Sequence, residues 1–168
     1  HALPGHWHQM GVILAASDSL SGLSGILQAT PVEMTSGLGD LRAPGRPVFL
    51  PYLGGERTPY NDANIRGAFV GLGHGADRAG MIRAVLEGVA FALCDSKKAM
   101  QATSTRFDRV IAIGGGAQSS YWLEAIATAL DTPIAVPAAG DFGAAFGAAR
   151  LGLMASGAGG ISSLTLPP

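Results

Sequence analysis

The chain has 168 residues, of which 48% are hydrophobic and 14% charged, and its formal net charge is -1. This balance excludes a disordered chain and a basic nucleic-acid-binding surface, and the length suffices for one domain with a substantial core. The single cysteine, Cys94, excludes an internal disulfide, and no apolar run reaches membrane-spanning length, so the sequence predicts a cytoplasmic globular protein.

The beginning of the chain predicts a strand followed by a helix. Residues 6–16 are apolar and rich in β-prone side chains, which favours a strand. Ser17 or Asp18 is placed to cap a helix that ends at Ala29, although two glycines weaken it. Turn residues over 37–45 then predict a loop.

The middle of the chain predicts a strand, a polar loop and a long helix. The strand covers residues 48–52, the loop 54–64 and a further short apolar segment 67–72. Residues 81–102 give the longest helical pattern, with two distinct stripes. Large apolar side chains form one stripe: Ile82, Val85, Leu86, Val89 and Leu93. Small residues form the other, where a second backbone can approach closely: Ala84, Gly88 and Ala92.

Strands and helices alternate towards the end of the chain. The predicted elements are a buried strand at 110–113, a helix capped by Ser119 or Ser120 and ending at Leu130, a strand at 134–136 and a helix at 143–155. This alternation indicates an α/β layer fold. Trp122 is predicted to anchor its helix in the core.

Both ends of the sequence suggest a piece of a longer protein. The chain begins at His1 without an initiator methionine, and its first residues look like the middle of a fold. A Gly/Ser-rich run leads to the final Pro167-Pro168. We therefore expect one domain over residues 1–155 and a flexible tail over 156–168.

The segment "RVIAIGGGAQSSYW" leads from an apolar stretch through three glycines into a helix start. Such a loop presents free backbone N–H groups to a phosphate or a nucleotide, whereas a simple tight turn is the alternative. A dinucleotide-binding βαβ unit fits less well. Ser119 replaces the last glycine of its fingerprint, and no acidic residue ends the next strand, which reaches Pro137. The remaining candidate is the nucleotide-binding lobe shared by sugar kinases, actin and hexokinase.

Four segments carry a resemblance to one family. They are "YLGGERTP" (52–59), "GAFVGLGHGADRAGMIRAVLEGVAFAL" (67–93), "IGGGAQSSYW" (113–122) and "GDFGAAFGAARLG" (140–152). In this order and spacing they resemble the FGGY carbohydrate kinases, and most closely the xylulose kinase branch. The resemblance covers nearly all of the chain but only the C-terminal one of the family's two lobes.

The resemblance implies a fold and a reaction. The fold is an α/β, ribonuclease H-like nucleotide-binding lobe, present in part. The reaction is transfer of the γ-phosphoryl of ATP, with Mg²⁺, to a hydroxyl of a ketopentose, D-xylulose in the first place. The N-terminal lobe of the same protein would supply the catalytic base and most sugar contacts, so no catalytic residue is assigned here and this chain alone is expected to be inactive.

Several alternatives remain open on the sequence. The substrate of the kinase is open among ribulose, gluconate, glycerol and other polyols, because the residues that bind the sugar would lie mostly outside this chain. A non-catalytic nucleotide-binding or interaction module is the alternative from another class. Neither nucleic acid nor a membrane is expected as a partner, and a homodimer stays open.

Site residues follow from matching the motifs residue by residue. Gly115, Gly116 and Ala117 match the loop that lies against the adenosine of ATP in the family. Ser120 stands where relatives place a side chain able to reach the adenine, and Gln118 is a further candidate contact of the nucleotide. A tight turn without a ligand is the alternative for the whole set.

Three further residues are candidates for the cleft between the lobes. Arg57 would neutralise phosphate charge as the lobes close, and the alternative is a solvated hairpin tip in which Glu56 forms a local ion pair. Asp141 and Gly143 match a joint motif that leaves space for phosphates or for the other lobe. Close helix packing is their alternative.

Two remaining features are expected to be structural. Glu87 follows Arg83 by four residues, which predicts an ion pair on the helix surface, with a buried structural acid as the second possibility. His6 and His8 would share one face of the first strand. They have no acidic or cysteine neighbour to complete a metal site, so no metal is assigned.

Overall fold

The computed structural model describes Leu3, residues 5–137 and residues 143–160. The helices in this part are α1 (Ala16–Leu27), α2 (Pro31–Ser36), α3 (Arg78–Gln101), α4 (Ser120–Leu130) and α5 (Ala144–Ala155). The strands are β1 (Val48–Leu50), β2 (Ala68–Val70), β3 (Val110–Ile111) and β4 (Ile134–Ala135). Within the described ranges, no helix is both long enough and apolar enough to traverse a bilayer.

The strands form two separate pairs. β1 and β2 are antiparallel, with Phe49 opposite Phe69 and their rings 4.8 Å apart between centroids. β3 and β4 are parallel, with Val110 opposite Ile134. The parallel pair joined through α4 is the crossover expected of an α/β layer fold.

Helix α3 forms the centre of the core. It packs against α4, α1 and β1, and four of the five side chains of the predicted large apolar stripe are buried, whereas Leu93 is half-buried. Leu86 is completely buried, and Val85 and Val89 are each only 1% exposed. The sequence prediction of a long helix with one apolar stripe is confirmed, with the helix beginning three residues earlier than expected.

The small stripe of α3 allows β1 to approach. A Cβ atom added to Gly88 would overlap the Phe49 carbonyl oxygen and would lie 3.1 Å from its carbonyl carbon. Because these are backbone atoms of a paired strand, they cannot rotate away as a side chain would. Gly88 therefore sets the distance between the central helix and the antiparallel pair.

We expect Gly88→Ala to destabilise the fold by roughly 1–3 kcal/mol, because the added methyl group must push β1 and α3 apart. Gly25→Ala is the matched control. Its Cβ would meet nothing within 4 Å on an exposed face of α1, so this change should stabilise by about 0.5–1 kcal/mol. Urea unfolding of both variants measures the difference, and equal stabilities would contradict this account of the packing.

Side chains define the helix ends. Asp77 caps α3, with Oδ1 accepting from the Gly80 N–H at 2.6 Å. Ser119 caps α4 through Oγ, as one of the two predicted alternatives. At the other end of α4, Lys97 Nζ donates to the Leu130 carbonyl oxygen and, at 2.8 Å, to Thr132 Oγ1. These contacts satisfy backbone groups that a helix end leaves free.

Three local predictions are wrong. Residues 6–13 form no strand, and Gly11 lies instead against the α3 side chain of Ser96. The cap of α1 is Ala15, which makes no side-chain cap hydrogen bond, and neither Ser17 nor Asp18 precedes the helix. The strand predicted at 110–113 is only half-buried and ends at Ile111.

Candidate nucleotide-binding cavity

The three glycines form a compact turn between β3 and α4. Gly114 has φ 85° and ψ -179°, a backbone conformation that is essentially restricted to glycine. Its carbonyl accepts from the Ala117 N–H at 3.0 Å, which starts a short 3₁₀ helix over Gly115–Gln118. Ser119 then leads directly into α4. The turn therefore exposes backbone at the N-terminal end of an eleven-residue helix.

A cavity of about 520 Å³ lies between this turn, α1 and α2. Each of the three elements contributes one wall. The lining residues are Ser17, Leu20 and Ser21 of α1; Pro31, Val32, Thr35 and Ser36 of α2; and Gly115, Gly116, Gln118, Ser119, Ser120 and Trp122 at the turn and in α4.

The structure brings together most of the predicted adenosine contacts. Gly115, Gly116, Gln118 and Ser120 all line the cavity. Ala117 belongs to the same turn but is outside the lining set. Their contact with a nucleotide remains a prediction.

Trp122 supports the glycine turn from the core side. Its side chain is 4% exposed, and its Nε1–H donates to the Leu86 carbonyl oxygen at 3.1 Å. A Cβ atom on Gly116 would lie 3.2 Å from the ring of Trp122. A Cβ atom on Gly115 would meet nothing within 4 Å. The missing side chains therefore have different consequences. At Gly116 the missing side chain makes room for the indole of Trp122, and at Gly115 it leaves space beside the backbone that lines the cavity.

The lining suits a flat, neutral group with hydroxyls. Leu20, Val32 and Trp122 offer apolar surface, while serine and threonine hydroxyls and the Gln118 amide offer donors and acceptors. Among the described lining residues there is no charged side chain. The chemistry fits a nucleoside better than a phosphate chain.

The α2 wall of the cavity was not predicted from the sequence. The signal was present, because Thr30 and Glu33 form a capping box: the Glu33 N–H donates to Thr30 Oγ1 at 3.2 Å, and the Thr30 N–H donates to Glu33 Oε2 at 2.8 Å. Pro31 occupies the first helical position, where its missing N–H costs nothing. Hydrogen bonds from Thr30 also lower the pKa of the Glu33 carboxyl.

Most of the chain matches one protein family. The profile of the "FGGY family of carbohydrate kinases, C-terminal domain" matches residues 4–156. The chain belongs to the FGGY family. It is 40% identical over 160 residues to the xylulose kinase of Escherichia coli (strain K12), which covers 93% of this chain and 33% of that protein.

Two further relatives extend the comparison. The crystal structure of a xyloylose kinase from Brucella ovis superposes with a TM-score of 0.92 at 58% identity, covering all of this chain and 36% of that one. The gluconokinase of Bacillus subtilis (strain 168) is 35% identical over 111 residues, which cover 66% of this chain and 21% of that protein. The predicted actin- and hexokinase-type fold of an FGGY kinase lobe is confirmed, and the chain spans about a third of the length of the E. coli and Brucella ovis proteins.

The three cleft candidates do not join the cavity. Arg57 is exposed in the loop between β1 and β2, and it is outside the lining set. Gly143 precedes α5 as its N-cap, also outside that set. Asp141 lies outside the described residues. Their roles in an FGGY cleft stay predictions.

Glu87 is a buried acid, so the predicted surface pair with Arg83 is wrong and the second possibility holds. Its side chain is 7% exposed, and Oε2 accepts from the Gly45 N–H at 3.4 Å. Burial raises the pKa of the Glu87 carboxyl, against smaller opposing effects of that hydrogen bond and of the Arg83 charge. Burial, followed by the nearby Glu87 charge, also raises the pKa of Tyr121.

Glu56 is not at a solvated hairpin tip. It is 2% exposed, and no ion pair joins it to Arg57 in the described part of the chain. Its Oε2 is buried, and its Oε1 accepts a hydrogen bond from the Leu14 N–H. The alternative interpretation of this loop is therefore wrong, because the acid faces inwards while the neighbouring arginine faces solvent.

The first two described histidines do not share the predicted strand face. His6 and His8 are exposed and lie in irregular backbone rather than on one strand face. Over the described ranges, no cluster of three or more His, Cys, Asp or Glu side chains is suited to a metal ion.

Proposed function

We propose that this chain forms the adenosine-binding part of an ATP-dependent sugar kinase that phosphorylates D-xylulose at its 5-hydroxyl. One observation supports the nucleotide role above the others: four residues of the glycine motif line a single uncharged cavity. The names of the E. coli and Brucella ovis relatives support the choice of sugar.

The lining residues have distinct roles in this proposal. Gly115 lets the face of the base approach the backbone of the turn. Trp122, which is hydrogen-bonded to α3, fixes the position of the turn relative to the core. Gln118 and Ser120 reach the edge of the adenine. Hydroxyls on α1, from Ser17 and Ser21, are placed on the opposite wall, where a ribose hydroxyl finds a partner.

The phosphates would leave the cavity towards the cleft. Phosphoryl transfer depends mainly on positioning and on stabilising the charge of the transferred group. The lining provides positioning, and the missing positive charge must come from outside it. ATP reacts as its Mg²⁺ complex, and we assign no Mg²⁺ ligand to the described residues.

Arg57 is the proposed source of positive charge in this chain. We expect Arg57→Ala in the full-length protein to lower kcat about tenfold or more and to change the KM for xylulose less, because the contact would form after the lobes close. Steady-state kinetics with each substrate varied gives both constants. Arg66→Ala, in the same loop region but bonded to the Ala63 and Ile65 carbonyls, is the control. An unchanged kcat for Arg57→Ala would exclude the phosphate role.

The rest of the protein would complete the site. We propose that the N-terminal lobe supplies the catalytic base and most sugar contacts. The gluconokinase relative makes gluconate the second candidate substrate. Full-length protein assayed with xylulose, ribulose, gluconate and glycerol decides among them, and we expect the highest kcat/KM with xylulose. A greater kcat/KM for another sugar would change the proposed substrate but would leave the proposed kinase activity unaffected.

The proposal also covers the cellular location of the protein and its oligomeric state. We place the kinase in the cytoplasm, where ATP and sugar phosphates are available, and keep a homodimer as the assembly to test. Sedimentation of the full-length protein measures the assembly. A protein that binds no ATP would favour the alternative of an interaction module.

A further inference from the structure

Residues 12–14 and 56–58 are held together by hydrogen bonds in which two side chains replace backbone acceptors. Thr58 Oγ1 accepts from the Val12 N–H at 3.0 Å, and the Thr58 N–H donates to the Val12 carbonyl at 3.0 Å. Two residues further along, Glu56 Oε1 accepts from the Leu14 N–H at 3.0 Å. We call these three hydrogen bonds the 12–58 clamp.

The clamp ends where the first wall of the cavity begins. Leu14 is followed by Ala15, the N-cap of α1, which is 2% exposed. The first turns of α1 carry Ser17, Leu20 and Ser21 into the cavity lining. Because α1 lacks a side-chain cap of its own, the hydrogen bond from Leu14 to Glu56 fixes the backbone at its entrance.

The same carboxylate oxygen holds the loop that carries the candidate cleft arginine. Glu56 Oε1 also accepts from the Arg57 N–H at 2.8 Å. The loop is closed behind it by the Glu56 and Asp62 backbones, which exchange hydrogen bonds of 2.9 Å in both directions. One atom therefore fixes both the entrance to α1 and the backbone of Arg57.

Burying a carboxylate at this position costs desolvation free energy, which its hydrogen bonds only partly offset. Oε2 of Glu56 is buried and has no hydrogen-bond partner among the described residues. An unsatisfied buried polar atom lowers the stability of the fold, and a charged one lowers it further. An apolar side chain would avoid that cost but would leave two amide groups unbonded. Stability alone therefore gives a weak reason for a glutamate here.

We infer that Glu56 is a positioning residue that couples the α1 wall of the nucleotide cavity to the Arg57 loop. This inference rests on the proposed kinase function for its kinetic consequence and on the clamp geometry for its structural one. Glu56 itself is outside the set of residues that line the cavity. It acts on ATP through α1 and on the transferred phosphoryl through Arg57.

The test uses the full-length protein with Glu56→Ala and Glu56→Gln. We expect Glu56→Ala to raise the KM for ATP and to lower kcat, each by about tenfold, and to leave the KM for xylulose within about twofold. Glu56→Gln keeps an oxygen acceptor of the same reach, so both constants should recover to within about threefold of the parent. In the Glu56→Ala background, Arg57→Ala should have little further effect on kcat, because the two residues act as one unit.

Asp77→Ala is the matched control. Asp77 also accepts one backbone N–H through its carboxylate, but it caps α3 and is not in the cavity lining. We expect it to lower the melting temperature with the KM for ATP unchanged. If Glu56→Ala also lowers only the melting temperature, the positioning role is overturned. Should Glu56→Ala fail to fold, Thr58→Val, which removes one acceptor of the clamp, must raise the KM for ATP, whereas Thr58→Ser must not.

Hydrogen exchange separates a failure of this inference from a failure of the proposed function. In Glu56→Ala, the amides of Leu14, of the first turn of α1 and of Arg57 should all exchange faster than in the parent. Faster exchange in only one of the two segments would overturn the coupling, whatever the enzyme activity. A parent protein that neither binds ATP nor phosphorylates xylulose would overturn the kinase proposal and leave the exchange result to decide the coupling.

Discussion

The 168-residue chain on its own is expected to release little or no ADP in response to D-xylulose, whereas the full-length protein should release it readily. The chain spans about a third of the length of its relatives, and the proposed roles leave the base and most sugar contacts to the remainder. Its cavity offers the walls for an adenosine but no charged lining for the phosphates. A coupled ADP assay on both proteins measures the difference.

Nucleotide affinity of the isolated chain should also be weak. Contacts to the adenosine alone suggest a Kd on the order of millimolar, equivalent to about -4 kcal/mol. Circular dichroism of the chain, with its helical signal intact, is the control that separates inactivity from unfolding. Robust phosphorylation of xylulose by the folded 168-residue chain would contradict the proposed division between the lobes.

Gly115→Val should weaken ATP binding to the full-length protein at least tenfold, about 1.4 kcal/mol, while the fold stays intact. A Cβ atom at this position meets no protein atom within 4 Å, and Gly115 lines the cavity in which we place the base, so we expect the valine to compete with it. Gly115 does not require a positive φ, so valine adds no left-handed strain. Titration calorimetry with ATP measures the affinity, and thermal unfolding checks the fold.

Two further variants serve as controls for Gly115→Val. Gly75→Val makes the same change in an exposed loop where the added group also meets nothing within 4 Å, and it should leave ATP affinity unchanged. Gly116→Ala should instead lower stability, because its Cβ lies 3.2 Å from the indole of Trp122. Equal ATP affinity in folded Gly115→Val and parent protein would exclude the glycine turn as a surface for the base.

The sequence predicted the parts of the fold that depend on local pattern. The apolar stripe on α3, the small residues facing β1 and the Ser119 cap of α4 each follow from spacing along one helix. Placing the glycine turn at a candidate nucleotide site depended on four motifs in order. Periodicity alone would have left a tight turn as an equal alternative.

Features that depend on contacts between distant residues were not predicted. Leu14 and Glu56 are 42 residues apart, so nothing near Glu56 in the sequence indicates that its carboxylate is buried. The strand expected at 6–16 failed for the same reason, because its amides bond to side chains of a distant loop. The helical spacing of Glu87 and Arg83 predicts a surface position for Glu87. Its carboxylate is buried because the segment around Gly45, which is distant in sequence, packs over it.

A crystal structure of the full-length protein with ADP tests the central claim most directly. We predict that the adenine lies against the backbone of Gly115 and Gly116, between Trp122 and the α1 and α2 walls, with its phosphates directed out of the cavity. Adenine bound elsewhere, with this cavity left open, would contradict the account.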